Sequence, residues 1–201
     1  MSERPTRRRE FDADRLEKAL GRLPRKSERP AVIVLIGLPG SGKSHFAREV
    51  ARRTPAAILD SDALRQVLFA NPRHTQQEHG RLFPAIHTLM ARLLARGITV
   101  IVDATNLKAA NRRQYHKIAK AHGAGVLLVY VWAPRSVILQ RLQSRAAGAN
   151  RADRSTATLA VYEEMRKDVE PIRERHLSVN TAKDTSAAVD KLIDKLSASK
   201  A

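Results

Sequence analysis

The stretch AVIVLIGLPGSGKSHFAREV (residues 31–50) joins an apolar run, a glycine-rich turn and the start of an amphipathic segment. The apolar run, AVIVLIG (31–37), has no polar side chain, which is typical of a strand buried on both faces of a parallel sheet. The turn, GLPGSGKS (37–44), satisfies the pattern G-x-x-x-x-G-K-[ST] and precedes a helix predicted from about Lys43 to Arg53. A strand, this turn and a helix in that order predict a loop that binds phosphate groups through its backbone.

The residue types in this loop favour a nucleoside triphosphate as its ligand. The glycines let the backbone turn tightly with its N–H groups facing inward, and the helix N-terminus adds about half a positive charge at the same place. The lysine can reach the β- and γ-phosphates, and the last serine hydroxyl can bind Mg²⁺. We therefore expect one continuous set of residues to hold the triphosphate: Gly37, Leu38, Pro39, Gly40, Ser41, Gly42, Lys43, Ser44 and His45.

Strand and helix patterns alternate along the rest of the chain. Five apolar segments are predicted as strands, at 31–37, 56–62, 98–106, 126–133 and 176–181. Helical patterns separate them, with a kink or break expected at Pro84 inside the segment 75–96. The alternation predicts the α/β class, as a P-loop NTPase fold with a mainly parallel five-stranded sheet flanked by helices. Trp132 lies in the fourth strand and is expected in the core.

Length and composition predict one folded domain. The chain has 201 residues, of which 43% are hydrophobic, and it carries a formal net charge of +17. We interpret residues 1–30 as a basic N-terminal arm with a short helix beginning after Asp12 and a proline-bounded linker. Residues 31–197 form the P-loop domain, with an arginine-rich helical lid at about 135–168, and residues 198–201 are expected to be a flexible C-terminus.

Several classes of protein are excluded or disfavoured by composition. The chain has no cysteine, which excludes disulfides, thiolate catalysis and cysteine-based zinc sites. The longest apolar run, 126–134, is too short to cross a membrane, and the charged N-terminus lacks the apolar stretch of a signal peptide. No membrane partner and a cytoplasmic location are therefore expected.

Polar residues follow the second and third predicted strands at the edge where open α/β sheets bind ligands. Asp103 closes the third strand and can hold a Mg²⁺-bound water beside the loop serine, or else cap the next turn. Asp62 and Arg65 follow the second strand one helical turn apart. Asp62 can accept the proton of an attacking hydroxyl, and Arg65 can bind an anionic group of the acceptor. The alternative is that Ser61 or Asp62 only caps the helix and that Arg65 is a solvated ion-pair partner.

Two other classes of P-loop protein fit poorly. A guanine-binding GTPase needs N-K-x-D late in the chain, and the nearest text, NTAKD (180–184), does not match. An oligomeric AAA⁺ motor needs a further helical domain and sensor regions, for which the length leaves little room. A compact kinase remains.

Four parts of the chain together resemble a known family. GLPGSGKS (37–44), LDSDALR (59–65), VIVDATNLKAANRR (100–113) and the arginine-rich segment after the fourth strand are similar to P-loop kinases of the polynucleotide 5′-kinase type. Zeta-toxin-like and gluconate-kinase-like enzymes, and AAA-family ATPase-like proteins, are neighbouring relatives. The resemblance covers about residues 31–197, and its D-x-x-R and DATN elements are more specific than the loop itself.

The resemblance implies roles for individual residues. Lys43 and Ser44 would contact the phosphates and the metal ion, with ATP and Mg²⁺ as cofactors. Asp62 would be the general base and Arg65 would contact the phosphate of the acceptor. Asp60 lies two residues from Asp62 and competes with it for the role of base.

The resemblance also implies lid arginines that neutralise charge on the transferred phosphoryl group. The candidates after the fourth strand are Arg141, Arg145, Arg151 and Arg154. Arg145 and Arg151 are the predicted catalytic pair, although each could instead be a solvated helix charge. The loop at 181–185 is expected near the adenine.

The distribution of charge bears on the acceptor. No acidic residue lies between Asp103 and Asp153, while nine or more basic residues do. A positive field at that edge would steer a polyanion. We therefore expect an ATP- and Mg²⁺-dependent kinase with the 5′-hydroxyl end of RNA or DNA as acceptor. A kinase of the same fold acting on a sugar, nucleoside, antibiotic or nucleotide-sugar is the first alternative. A nucleotide-dependent nucleic-acid-binding module without transfer activity is the second.

Overall fold

A parallel sheet with the glycine-rich segment at its centre organises the chain. In the computed structural model, which describes residues 3–146 and 158–198, the elements follow in the order α1 (Glu3–Ala19), β1 (Ala31–Ile36), α2 (Lys43–Arg53), β2 (Ala57–Asp60), α3 (Ser61–Leu68), α4 (Gln76–Ala95), β3 (Val100–Asp103), α5 (Ala109–Ala121), β4 (Gly125–Trp132), α6 (Arg135–Ala146), α7 (Leu159–Lys167), β5 (His176–Asn180) and α8 (Ser186–Ala198). The strand order is β2-β3-β1-β4-β5, and every pair of neighbours is parallel. All six side chains of β1 are buried, which is why this strand contains only apolar residues.

The carboxyl ends of three strands meet at one edge of the sheet. Asp103 at the end of β3 lies in register with Leu35 of β1 on one side and with Asp60 of β2 on the other. The loop that follows β1 therefore emerges beside two carboxylates. This edge is where the polar residues predicted to act together are brought together.

Helices cover both faces of the sheet. α1, α3, α4 and α5 share a core with Val32 and Val34, whereas α2 and α8 share a second core with Ile33 and Leu35. α6 and α7 form a smaller apolar cluster that includes Leu38 of the glycine-rich loop. None of the helices in the described ranges combines the length and the apolarity that crossing a membrane would require.

The predicted fold class is confirmed, but a break at Pro84 and a core position for Trp132 were wrong. α4 runs without a break from Gln76 to Ala95 although Pro84 lies inside it. The helix survives because Pro84 removes only one backbone hydrogen bond, while the buried leucines of α4 keep the helix packed on the sheet. Trp132 is 36% exposed rather than in the core, and its indole N–H donates a hydrogen bond to the Ser178 hydroxyl at 3.0 Å.

The N-terminal helix also differs from the expectation. α1 begins at Glu3, so most of the predicted mobile arm is helical, and Asp12 lies inside the helix rather than at its N-cap. The Asp12 carboxylate is buried because it accepts two hydrogen bonds of 2.7 Å from the guanidinium of Arg81 on α4. A charge-assisted bidentate pair of this kind holds α1 against α4 and lets the helix extend in both directions from it.

Removing the Asp12 carboxylate should detach α1 from α4. The Asp12 side chain is 1% exposed, and loss of one member of a buried pair leaves the other uncompensated. We expect Asp12→Ala to lower the free energy of unfolding by about 2–4 kcal/mol. Asp14→Ala is the matched control: Asp14 pairs with Arg92 but is 57% exposed, so its loss should cost about 1 kcal/mol or less. Urea denaturation of both variants checks this, and equal losses would show that the burial of Asp12 does not matter.

His87 should make the fold sensitive to acid. Its ring packs edge-to-face on Tyr115 at 5.5 Å, and burial, with a smaller effect of the nearby Arg9 charge, lowers the pKa of His87 to about 4. Between pH 6.5 and about 4 the unfolded chain binds a proton at this residue and the folded chain does not, so stability falls as the pH falls. His87→Gln should remove roughly 3 kcal/mol of this pH dependence. Urea denaturation at pH 7 and pH 4.5 measures the free energy of unfolding of the variant and of the unaltered protein. The same loss of stability between the two pH values in both proteins would contradict the prediction.

Candidate active site

The loop at 37–44 is packed so closely that two of its glycines admit no side chain. The Gly37 N–H donates to the Thr105 carbonyl at 3.0 Å, and a Cβ on Gly37 would collide with the Val131 carbonyl oxygen. Gly42 has φ of +93°, and a Cβ there would lie 2.9 Å from the Thr181 hydroxyl oxygen. The glycines required by the motif are therefore also required by the neighbouring strand ends.

Lys43 is the first residue of α2, and its side chain folds back over the loop. The Lys43 Nζ donates to the Leu38 carbonyl at 3.1 Å, which places the ammonium group over the turn that precedes it. α2 begins directly after Gly42, so its free backbone N–H groups point toward the same region. An ammonium ion and a helix N-terminus at one place form a site for an anion.

Asp103 is a buried carboxylate with an unsatisfied oxygen. Burial raises the pKa of Asp103 to about 6, against the opposing effect of the Lys43 ammonium, while Asp60 and Asp62 raise it further and the Ser44 hydroxyl lowers it. Since all these groups act on Asp103, they lie close together at the sheet edge. The Asp103 Oδ2 atom has no hydrogen-bond partner in the described part of the structure.

The residues around Asp103 fit a hydrated magnesium ion. Mg²⁺ prefers oxygen ligands and usually keeps several waters while using one or two protein groups together with substrate phosphates. The Ser44 hydroxyl and the unsatisfied Asp103 oxygen match that requirement. Within residues 3–146 and 158–198 no group of three or more histidine or acidic side chains forms a metal-binding cluster, so such an ion would depend on the phosphates for its remaining ligands.

The N-cap of α3 is Asp60, and Asp62 follows it inside the helix. The Asp60 Oδ1 atom accepts hydrogen bonds from the backbone N–H groups of Asp62 at 2.9 Å and Ala63 at 3.1 Å. The cap is therefore neither Ser61 nor Asp62, the two candidates of the alternative interpretation. No described residue donates a hydrogen bond to the Asp62 carboxylate, which lies in the first turn of α3 on the side of Asp103.

Arg65 is buried rather than solvated. It is 2% exposed, and its Nη1 donates to the Glu78 Oε2 atom at 3.2 Å. Its Nε–H has no partner among the described residues. The alternative interpretation, in which Arg65 is a solvated ion-pair partner, is therefore wrong, because its guanidinium is buried.

Glu78 joins Arg65 to the loop between α3 and α4. It accepts backbone N–H groups of Arg73 at 2.8 Å and His74 at 2.7 Å, and these bonds, followed by the charge of Arg65, lower the pKa of Glu78 despite its burial. His79 follows it, and burial and then the Arg65 charge lower the pKa of His79. Sequence analysis missed both residues, because their link to Arg65 spans thirteen and fourteen positions.

The lid contributes one arginine that sequence analysis did not choose. Arg141 on α6 donates to the Gly40 carbonyl at 3.2 Å and to the hydroxyl and carbonyl oxygens of Thr181 at 2.9 and 2.8 Å. It therefore ties the glycine-rich loop to the loop after β5. Arg145 lies in α6 but its side chain is not described, and Arg151 lies outside the described residues. His45, predicted near the nucleotide, is exposed on α2.

Residues 32–172 match the family model described as AAA domain. The chain belongs to this AAA domain family. It is 31% identical over 115 residues to the adenylyl-sulfate kinase of Myxococcus xanthus, in a match covering 55% of this chain and 62% of that protein. It is 29% identical over 112 residues to the L-seryl-tRNA(Sec) kinase of Methanococcus maripaludis, covering 55% and 44%. The chain therefore spans less than two thirds of the length of either relative.

Solved structures of P-loop kinases share the fold. The APS kinase of Mycobacterium tuberculosis superposes with a TM-score of 0.63 at 23% identity, covering 85% of this chain and 99% of that one. A gluconokinase from Sinorhizobium meliloti gives 0.59 at 20% identity, covering 88% and 100%. At these identities the two structures show that the fold is shared. They give no particular support to the polynucleotide 5′-kinase subgroup.

The Asp103 carboxylate should matter for nucleotide binding only when Mg²⁺ is present. We expect Asp103→Asn to weaken binding of a fluorescent ATP analogue by ~10-fold or more in Mg²⁺, and to leave binding in EDTA unchanged. The exposed Asp168→Asn is the control and should behave as the unaltered protein in both buffers. An equal loss with and without Mg²⁺ would mean that Asp103 supports the loop and has no part in holding the ion.

Proposed function

We propose that this protein transfers the γ-phosphoryl group of ATP to a hydroxyl of a small acceptor that carries an anionic group. The observation that supports it most directly is that the two carboxylates after β2, Asp60 and Asp62, have different surroundings. Asp60 accepts the capping hydrogen bonds, whereas no described residue donates a hydrogen bond to the Asp62 carboxylate, whose charge acts on the buried Asp103. A free carboxylate next to a phosphate-binding loop has the chemistry of a general base for an attacking hydroxyl.

Each group then has a defined part in the transfer. Lys43 and the loop N–H groups bind the phosphates and stabilise the charge that develops on them. Asp62 takes the proton of the acceptor hydroxyl as its oxygen bonds to the γ-phosphorus, and the bond from that phosphorus to the oxygen shared with the β-phosphate breaks to release ADP. Ser44 and Asp103 would hold Mg²⁺, which neutralises phosphate charge when bound.

The burial of Arg65 supports a compact anionic acceptor. Its unpartnered Nε–H lies one helical turn from Asp62, at a place with almost no exposure to solvent. A surface cation can follow a polymer backbone, whereas a desolvated arginine suits one small anion that enters and is enclosed. Among the relatives, the adenylyl-sulfate kinase is named for a small anionic substrate, in keeping with this proposal.

An acceptor hydroxyl on nucleic acid is the second candidate. The net charge of +17 favours a polyanion, and one relative is a kinase of a charged tRNA. Only the net positive charge of the protein supports the 5′-hydroxyl end of RNA or DNA as the acceptor. A nucleotide-dependent binding module without transfer remains the alternative that the Asp62 experiment separates from both kinases.

Asp62 should be needed for chemistry and Asp60 for structure. Asp62→Asn keeps the shape of the side chain and should lower kcat by roughly 10²–10⁴-fold with little change in ATP affinity. Asp60→Asn is the matched control, because asparagine is an equally good N-cap, and kcat should fall far less. Lys43→Ala should abolish turnover. A larger loss in Asp60→Asn than in Asp62→Asn would transfer the role of base to Asp60.

The acceptor class can be tested directly with γ-labelled ATP and Mg²⁺. Four acceptors are compared: adenylyl sulfate, gluconate, a seryl-tRNA and an oligonucleotide with a 5′-hydroxyl. We expect label on a small anionic acceptor and only modest inhibition by added salt, because a compact site makes few phosphate contacts. Transfer to the oligonucleotide alone, lost steeply as salt rises, would overturn the proposed acceptor and restore the 5′-kinase hypothesis.

A further inference from the structure

The solvent-facing side of α1 is basic because the acidic side chains of this helix form ion pairs with arginines of the core. Four described carboxylates of α1 are engaged by arginines of α4 and the residue that follows it: Asp12 with Arg81, Glu10 and Asp14 with Arg92, and Glu17 with Arg96. Arg7, Arg8 and Arg9 are exposed and have no carboxylate partner among the described residues. The ion pairs therefore attach the helix to the core and leave its positive charges to solvent.

An aromatic ring lies among these arginines. Phe11 is 61% exposed, the highest value among the large hydrophobic side chains of the described residues. Arg7 and Arg8 precede it by four and three positions, so all three residues share one side of the helix. Phe11 therefore presents an accessible flat ring to solvent on the same side of the helix as two cations.

α5 extends the basic surface across a groove. Arg9 of α1 and Gln114 and Ile118 of α5 line opposite walls of a groove of about 340 Å³, and side chains of α4 line its floor. α5 contains no acidic residue, and it exposes three further cations: Arg113, Lys117 and Lys120. We call the exposed residues Arg7, Arg8, Arg9, Phe11, Arg113, Lys117 and Lys120 the α1–α5 surface.

We infer that the α1–α5 surface binds single-stranded nucleic acid. Arg9 in the wall of the groove and the exposed lysine and arginine side chains elsewhere on α1 and α5 can neutralise backbone phosphates. Phe11 offers a flat face on which one unpaired base can stack, as aromatic side chains do in proteins that bind single strands. Phosphate contacts and the stacking of one base carry no sequence information, so we expect binding with little sequence specificity.

The same residues do not suit an anionic membrane. A helix that lies on a membrane inserts a whole apolar face. In α1 the apolar residues Ala13 and Leu16 are fully buried in the protein core, and Phe11 is the one large apolar side chain that the described part of the helix exposes. A single ring among arginines is enough to stack a base and too little to insert into lipid.

The opposite face of the sheet provides a comparison. Two arginines of α2 are exposed, and each has a carboxylate partner nearby. Arg52 pairs with Glu49, and Arg53 pairs with Asp190 of α8. They lie on the other layer of the fold from α1 and α5. Replacing them removes as much positive charge as replacing Arg7 and Arg8, at a distance from the α1–α5 surface.

The inference does not rest on the proposed phosphotransfer. Binding is measured without ATP or Mg²⁺, by fluorescence anisotropy of a labelled, unstructured RNA of about 20 nucleotides. The whole chain is used, in salt from about 50 to 200 mM. Vesicles containing anionic lipid are tested in parallel, and circular dichroism verifies that each variant is folded.

We expect different responses from the two kinds of contact. The double variant Arg7→Gln/Arg8→Gln should weaken RNA binding roughly tenfold and lower the slope of log Kd against log salt by about 1.4. Phe11→Ala should weaken it roughly tenfold and leave that slope unchanged, because stacking releases no ions. Lys117→Gln/Lys120→Gln should resemble the first variant, and the control Arg52→Gln/Arg53→Gln should change Kd by about twofold or less.

Three results would overturn the inference. One is an equal loss in the control variant, which would show that total charge alone attracts the RNA. Another is Phe11→Ala with unchanged affinity. The third is tight binding to anionic vesicles with no binding to RNA. A protein that binds RNA as described but transfers no phosphate would leave this inference intact and refute the proposed kinase.

Discussion

The close approach of Gly37 to its neighbours is the constraint on which the rest of the site depends. The residue lies between the Thr105 carbonyl, to which it donates, and the Val131 carbonyl, which leaves no room for a Cβ. Such contact is possible because β1 lies between β3 and β4 in the sheet. The loop, the buried carboxylate of Asp103 and the cap of α3 are therefore positioned by one rigid edge rather than by flexible connections.

The carboxyl edge of the sheet brings together buried groups of opposite charge. Among the described residues, the buried side-chain atoms without a hydrogen-bond partner include Asp103 Oδ2 and Arg65 Nε, together with Ser41 Oγ and Arg112 Nε. Unsatisfied buried polar atoms cost stability, and proteins retain them mainly where a ligand completes them.

Local patterns predicted most of the fold, including the strand, turn and helix that contain the glycine-rich loop. β1 and α2 could be predicted closely because a buried strand, a glycine turn and a helix start each have a strong local signature. The contacts that complete the candidate site join residues that are distant in sequence. The pairing of Arg65 with Glu78, and of Arg141 with Thr181, is set by how α3, α4 and α6 pack, and spacing along the chain carries no such information. The length of α1 was missed for the same reason, since its buried Asp12 resembles an N-cap until Arg81 is seen beside it.

The attachment of α1 also shows that the family match and the folded unit begin at different residues. The family match begins at residue 32, just after the helix and its linker. Ala13 and Leu16 nevertheless belong to the same apolar core as β1 and α4. A shortened protein beginning at Ala31 would retain the whole matched segment, yet it would expose part of that core and leave the arginines of α4 without carboxylates. Such a fragment should aggregate when expressed, and the segment shared with relatives is smaller than the unit that folds.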